Sequence, residues 1–204
     1  MPEPDLDLSA AQSTEIVALA GEFARREIDG HDDLREIEIM PPALWRAIGA
    51  ASLARIALPM AYGGTGGGYG ALAAAAETMA AEGGVMGVVT SWLGRQLIAR
   101  LLILGHGDER QRHAYLPDLA SGRLTPSLAI SEPGAGAHPK HLVTTADQDG
   151  DDYVLNGEKA YVTNGPIADL FLVLAITGVD AALKRFSILM VPRGTAGLTL
   201  TEGV

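Results

Sequence analysis

Two stretches are the most informative about this chain: LAISEPGAGA, residues 128–137, and YVLNGEKAYVTNG, residues 153–165. The first alternates apolar side chains and then meets Pro133 and two glycines, with no bulky residue between them. A backbone of this kind can turn sharply and let a large ligand lie close to it. The first stretch therefore predicts a short strand that runs into a ligand-facing bend.

The second stretch contains two β-type runs separated by Asn156-Gly157, which predicts a hairpin with a type I′ turn. Side chains along a strand repeat every second residue, so the outgoing strand is expected to place Tyr161 and Thr163 on one face. An aromatic ring and a hydroxyl would then be presented together. Taken alone, each of these two residues is more typical of an ordinary strand than of a ligand site.

Helical periodicity dominates the chain up to Gly122. Ser9 with Gln12 has the pattern of a capping box, and Asp108 with Gln111 is placed to cap a later helix. The expected helices cover residues 9–28, 43–51, 71–82, 85–104 and 108–120. Residues 85–104 are apolar enough to suggest a membrane span, but Arg95, Gln96 and Arg100 interrupt them, which favours a buried core helix.

A glycine-rich loop, residues 62–70, formally matches a dinucleotide-binding fingerprint at Gly66, Gly68 and Ala71. That fold needs a strand before the loop and a second parallel strand after the helix. Another helix follows here instead, so the sequence indicates a surface turn.

Short β-type runs separated by turn residues follow Gly122. The expected strands cover residues 127–131, 142–146, 153–155, 159–163, 170–175, 185–191 and 198–201, with turns at 148–152, 156–157 and 193–194. The sequence thus predicts an α+β chain with a helical domain, residues 1–122, and an antiparallel, β-barrel-like domain, residues 123–204, incomplete at its C-terminal end.

Composition limits the function classes. The 204 residues include 25 Asp and Glu against 15 Lys and Arg, a net charge of -10, which argues against binding to nucleic acid or to an anionic membrane surface. There is no cysteine, so a disulfide framework, a thiolate metal site and a thiol nucleophile are excluded. The acidic N-terminus resembles neither a secretory signal nor a transit peptide, and a cytoplasmic protein is expected.

The two motif stretches resemble those of the acyl-CoA dehydrogenase family. Its members carry Thr-Glu-Pro-x-Ala-Gly-Ser-Asp and then Leu-Asn-Gly-x-Lys-x-Trp-Ile-Thr-Asn-Gly. Here the first reads Ser-Glu-Pro-Gly-Ala-Gly-Ala-His from Ser131 to His138, and the second reads Leu-Asn-Gly-Glu-Lys-Ala-Tyr-Val-Thr-Asn-Gly from Leu155 to Gly165. A shared Leu-Pro-x-Leu-Ala-Ser-Gly run at residues 116–122 extends the likeness into the helical part.

The resemblance implies a flavoprotein oxidoreductase of fatty acid metabolism that dehydrogenates an acyl thioester, on CoA or an acyl carrier, between Cα and Cβ with FAD. It implies an oligomer, with electron-transfer flavoprotein as the acceptor. The implied FAD-binding residues are Leu128, Ala129, Ile130, Ser131, Gly136, Ala137, Tyr161, Val162 and Thr163, and Ala137 would also contact substrate. Among them, Ser131, Tyr161 and Thr163 would bond to or pack on the flavin ring.

The clearest departure from the family pattern within these motifs lies at residues 137 and 138. Ala137-His138 replaces Ser-Asp, which removes a hydroxyl near the pyrophosphate and the substrate. His138 and His141 are close in sequence, but Pro139 separates them and no third ligand is evident, so no metal site is expected.

Family members are about twice as long, and their C-terminal helical bundle supplies the carboxylate base and most oligomer contacts. We therefore expect no catalytic base within residues 1–204, because the resemblance makes Glu132 a structural part of the bend. The chain would be either the flavin-facing half of an enzyme, completed by a bundle-bearing segment or partner chain, or a non-catalytic binding or scaffold relative.

Overall fold

The computed structural model describes residues 8–135, 138–181 and 183–201 of the chain. It divides into two compact units, Met1–Thr125 and Pro126–Val204. The first is helical and the second contains a sheet. The predicted α+β order, helices and then strands, is confirmed.

Local sequence signals mark where the helices of the first unit begin. Its α-helices are α1 (Ala10–Glu27), α2 (Pro42–Ala50), α3 (Tyr69–Gly83), α4 (Met86–Leu97) and α5 (Glu109–Ser121). Both predicted capping boxes are present: Ser9 accepts from the Gln12 amide, and Asp108 accepts from the Gln111 amide. Pro42 lies in the first turn of α2, where its missing N–H costs nothing. α1 packs against α3.

Helix α4 is the core helix of this unit. A π-helical segment, Ile98–Leu104, continues it, and Met86–Leu104 together are long and apolar enough to cross a membrane by length and composition alone. However, 61% of the most apolar window is buried within the protein. Trp92, Arg95 and Gln96 are almost fully buried, and all three donate hydrogen bonds to backbone carbonyls of the same unit. These contacts agree with the prediction of a buried core helix.

The glycine-rich loop folds back on the chain that precedes it. Gly66 exchanges backbone hydrogen bonds with Ala57 and Leu58, at 2.9 and 2.8 Å. Arg100 donates to the carbonyls of Ala57 and Gly67 and lies over the ring of Tyr69. A 3-10 turn, Met60–Tyr62, precedes the loop where a dinucleotide-binding fold would have a strand. The loop is a turn between helical segments.

The sheet unit contains five strands over the described residues: β1 (Pro126–Ala129), β2 (Thr145–Asp149), β3 (Asp152–Asn156), β4 (Leu170–Asp180) and β5 (Leu183–Pro192). β4 is central. It pairs antiparallel with β5 along one edge and parallel with β1 along the other, where β2 joins it at Thr145 and Ile176. The prediction of an antiparallel, barrel-like domain is therefore corrected in two details: the sheet is mixed, and it is not closed over the described residues.

The predicted hairpin at Asn156-Gly157 is wrong. β3 ends at Asn156 and pairs with the preceding strand β2, through a two-residue turn at Gly150-Asp151. Gly150 has φ +63°, the left-handed conformation that such a turn requires. Gly157 instead passes close to the side chain of Thr144, so this glycine provides close backbone approach and not a turn.

Two other predicted strands are also wrong. Residues 159–163 and 198–201 are not in a strand. The predicted strand at 142–146 begins only at Thr145, because the amides of residues 143 and 144 bond to a carboxylate. The runs at 127–131, 153–155, 170–175 and 185–191 do contain strands, with shifted ends. A small core of Ala168, Phe171 and Val191 supports this part of the unit.

Candidate flavin-facing site

Strand β1 leads into the site and alternates its side chains as a strand should. Ser127 and Ala129 are buried, at 0% and 3% exposure, whereas Leu128 and Ile130 are half-buried on the alternate positions. Parallel pairing with β4 fixes the direction of the strand. The next residue, Ser131, is half-buried and stands at the start of the bend.

Glu132 organises the bend. Its carboxylate accepts hydrogen bonds from the amides of Val143 and Thr144 and from the Thr144 hydroxyl, and it forms an ion pair with Lys159 at 2.9 Å. The two charged side chains are 4% and 9% exposed. Burial alone would raise the pKa of Glu132, but hydrogen bonds from Thr144, Lys159 and Val143 outweigh it and lower the pKa to about 2.

Residues 157–168 form the second side of the site, without belonging to any strand. The Ala160 amide donates to the carbonyl of Ser131 at 2.8 Å, which ties this segment to the bend. Ser127 donates its hydroxyl to the carbonyl of Thr163, and Arg193 donates to the carbonyls of residues 165, 166 and 168. One backbone hydrogen bond and several side-chain hydrogen bonds thus hold a segment that belongs to no strand.

Tyr161 lies on this segment in an uncommon conformation. Its φ is +56°, the left-handed region that a bulky residue rarely adopts, and its ring is 92% exposed. Thr163 is also exposed, while Val162 packs against the core around Phe171. The strand that was expected to carry Tyr161 and Thr163 is absent, because the segment turns here.

Gly136 and Ala137 lie outside the described residues. The next residue, His138, accepts a hydrogen bond from the Lys140 amide on Nδ1, and its ring centroid is 5.0 Å from that of His141. Within the described ranges, no group of three or more His, Cys, Asp or Glu could hold a metal ion.

Comparison with known proteins identifies the family. Residues 11–123 match the acyl-CoA dehydrogenase N-terminal domain, and residues 127–203 match the acyl-CoA dehydrogenase middle domain. The chain belongs to the acyl-CoA dehydrogenase family. A probable acyl-CoA dehydrogenase of Bacillus subtilis, YngJ, is 34% identical over 89% of this chain and 48% of its own length.

Solved structures also superpose well on the chain. The FAD complex of PigA has a TM-score of 0.85 and 27% identity, over 98% of this chain and 52% of its own. The prolyl acyl carrier protein oxidase AnaB has a TM-score of 0.83 and 30% identity, over 97% of this chain and 52% of its own. The chain therefore spans about half the length of the relatives it matches.

The groups at this acyl-CoA dehydrogenase-like site fit a flavin. The hydroxyls of Ser131, Tyr161 and Thr163 make no hydrogen bond to any other residue in the described part of the chain, and Tyr161 exposes its aromatic ring to solvent. Hydroxyl donors and an aromatic wall are what an isoalloxazine ring needs at its polar edge and its face.

Sequence reasoning missed the residues that hold the site. Ser127, Lys159 and Arg193 were given no role, although each makes the contacts described above. One signal was available for Lys159: it is the lysine of the Leu-Asn-Gly-x-Lys motif, and it follows the bend that contains the acid Glu132. Ser127 and Arg193 carry no comparable sequence signal.

Proposed function

We propose that the chain is the flavin-facing part of an acyl-CoA dehydrogenase-like oxidoreductase, which removes hydrogens from Cα and Cβ of an acyl thioester. Bound FAD would accept the β-hydrogen as hydride. Ser131 and Thr163 would donate hydrogen bonds to its ring, and Tyr161 would pack on its face. Leu128, Ala129, Ile130 and Val162 would contribute main-chain contacts, and Gly136 and Ala137 would lie along the pyrophosphate.

One observation carries the proposal: Tyr161, in a left-handed conformation, exposes its ring to solvent on a segment that a backbone hydrogen bond ties to Ser131. Left-handed backbone costs a non-glycine residue about 1–2 kcal/mol, and an exposed ring gains nothing from burial. A flat ligand stacked on Tyr161 would offset both costs. The Ala160–Ser131 hydrogen bond keeps the ring beside the bend.

We also propose that the base that removes the α-proton comes from another polypeptide segment, in a longer chain or a partner subunit. Glu132 is unsuited to that role, because four donors already occupy its carboxylate and its pKa is about 2. A base of such low pKa accepts a proton weakly. The same segment would form the oligomer contacts. Electron-transfer flavoprotein would be the electron acceptor, and the protein would act in the cytoplasm.

A non-catalytic binding relative is the second candidate. It is favoured by Ala137 and His138, which stand where the family pattern has a serine and an acid. Such a protein would bind a thioester, or the flavin alone, without turnover.

The test is a flavin titration of the purified chain, followed by visible absorbance and quenching of flavin fluorescence. Saturable binding that Tyr161→Ala and Thr163→Val each weaken would support the proposal. No binding by the wild-type chain, either alone or with a bundle-bearing partner, would overturn it. Bleaching of the bound flavin by saturated acyl-CoA or acyl-carrier thioesters, measured with the base-bearing segment or partner present, then separates the enzyme from the silent relative.

A further inference from the structure

A buried ion pair joins the two segments assigned to the flavin. Lys159 donates to the carbonyl of Ile130 at 3.0 Å as well as to Glu132, and the neighbouring Ala160 amide donates to Ser131. Three contacts therefore connect residues 130–132 with residues 159–160. Tyr161 is the next residue after Ala160 in one segment. In the other segment, Ser131 lies between Ile130 and Glu132, which both accept from Lys159.

The geometry of the pair is set from both ends. The amides of Val143 and Thr144 fix the Glu132 carboxylate, which leaves Oε1 directed at Lys159. Both side chains are shielded from water, so charge-assisted hydrogen bonds here are stronger and more directional than at the surface. A buried ion pair adds little net stability compared with an apolar pair, and a role in specifying geometry is its better-attested use.

We propose that Glu132 and Lys159 are positioning residues, whose pair fixes Tyr161 relative to Ser131, and that flavin binding depends on this fixed placement. The second half of the inference rests on the proposed function, whereas the first half concerns the protein without any ligand. Neither residue contacts the reacting atoms in this scheme. Each acts through its neighbour in sequence.

The test is made on the full 204-residue chain, with the variants Lys159→Met and Lys159→Gln. Amide hydrogen exchange, measured by NMR without flavin, reports on Ala160 directly because its amide bonds to Ser131. We expect the Ala160 amide to exchange about tenfold faster or more in Lys159→Met, and by a smaller factor in Lys159→Gln, which keeps a donor. The amides of Val143 and Thr144 should stay within about twofold of wild type, because Glu132 still accepts from them.

Flavin affinity is the second measurement. The Kd for FAD should rise about tenfold in Lys159→Met, a loss of roughly 1.4 kcal/mol. The matched control is Lys140→Met, the same substitution at an exposed lysine, which should leave both exchange at Ala160 and the Kd within about twofold.

Unchanged exchange at Ala160 in both Lys159 variants would overturn the first half of the inference. Faster exchange with an unchanged Kd would overturn the second half. If Lys159→Met does not fold, Lys159→Gln decides both. If wild-type protein binds no FAD, the proposed function and the second half fail together, while exchange at Ala160 still decides the first half.

Discussion

Gly157 lies so close to Thr144 that a Cβ on residue 157 would overlap the Thr144 hydroxyl. The same hydroxyl donates to Glu132, so the glycine, the threonine and the ion pair form one packed unit. A glycine here is required by its neighbour and by its φ of +153°.

Gly157→Ala is therefore expected to lower the free energy of unfolding by about 2 kcal/mol, through overpacking and backbone strain. Urea unfolding measures this effect. The control is Gly134→Ala in the neighbouring bend, where a Cβ would meet no atom of the described residues within 4 Å, and where we expect little change. Equal losses in the two variants would contradict the packing argument.

Tyr161→Gly should raise stability while it weakens flavin binding. Glycine removes the left-handed strain, which is worth about 1 kcal/mol, but it also removes the ring proposed to pack on the flavin. Urea unfolding and FAD titration measure the two effects. Tyr153→Gly, at a half-exposed tyrosine in strand β3, is the contrasting variant and should lower stability, because glycine weakens a strand.

Acid should weaken the folded state through Glu132. Its pKa falls from 4.5 to about 2 on folding, so its contribution is complete above about pH 4.5 and is lost as the pH falls towards 2. The shift corresponds to about 3 kcal/mol. We expect the difference in unfolding free energy between wild type and Glu132→Gln to shrink over this pH range.

Urea unfolding at successive pH values checks this prediction. Glu158→Gln controls for the change in net charge, since Glu158 is an exposed acid in the same segment. A difference between wild type and Glu132→Gln that is independent of pH would show that the ion pair is not linked to acid stability.

Arg95→Lys should destabilise the helical unit by about 2 kcal/mol. Arg95 is fully buried, and its guanidinium donates to the carbonyls of Leu119 and Leu124 and to the Gln96 side chain. A lysine ammonium cannot reproduce this planar fork of donors. Thermal unfolding followed by circular dichroism at helical wavelengths is the measurement. Arg123→Lys, at an exposed arginine, should change stability by less than about 0.5 kcal/mol.

Local signals account for what could be predicted of the helical unit. The caps at Ser9 and Asp108 and the first-turn proline of α2 are set by contacts within a few residues, so they are readable from the sequence. The prediction of the strands was less accurate. Asn156-Gly157 carries a strong turn signal, but the close approach of Gly157 to Thr144 overrides it. Gly150-Asp151 makes the turn instead.

Three features can be read from the sequence alone: the family motifs, the order of helices and strands, and the residue types available to a flavin. The tertiary structure decided how residues 157–168 are held, because their partners lie far along the chain: Lys159 meets Glu132 at a separation of 27 residues and Arg193 meets Ala168 at 25. Such contacts leave no periodic trace in the sequence. They form only after the strands have brought distant segments together. They also fix the position of the main chain at Tyr161.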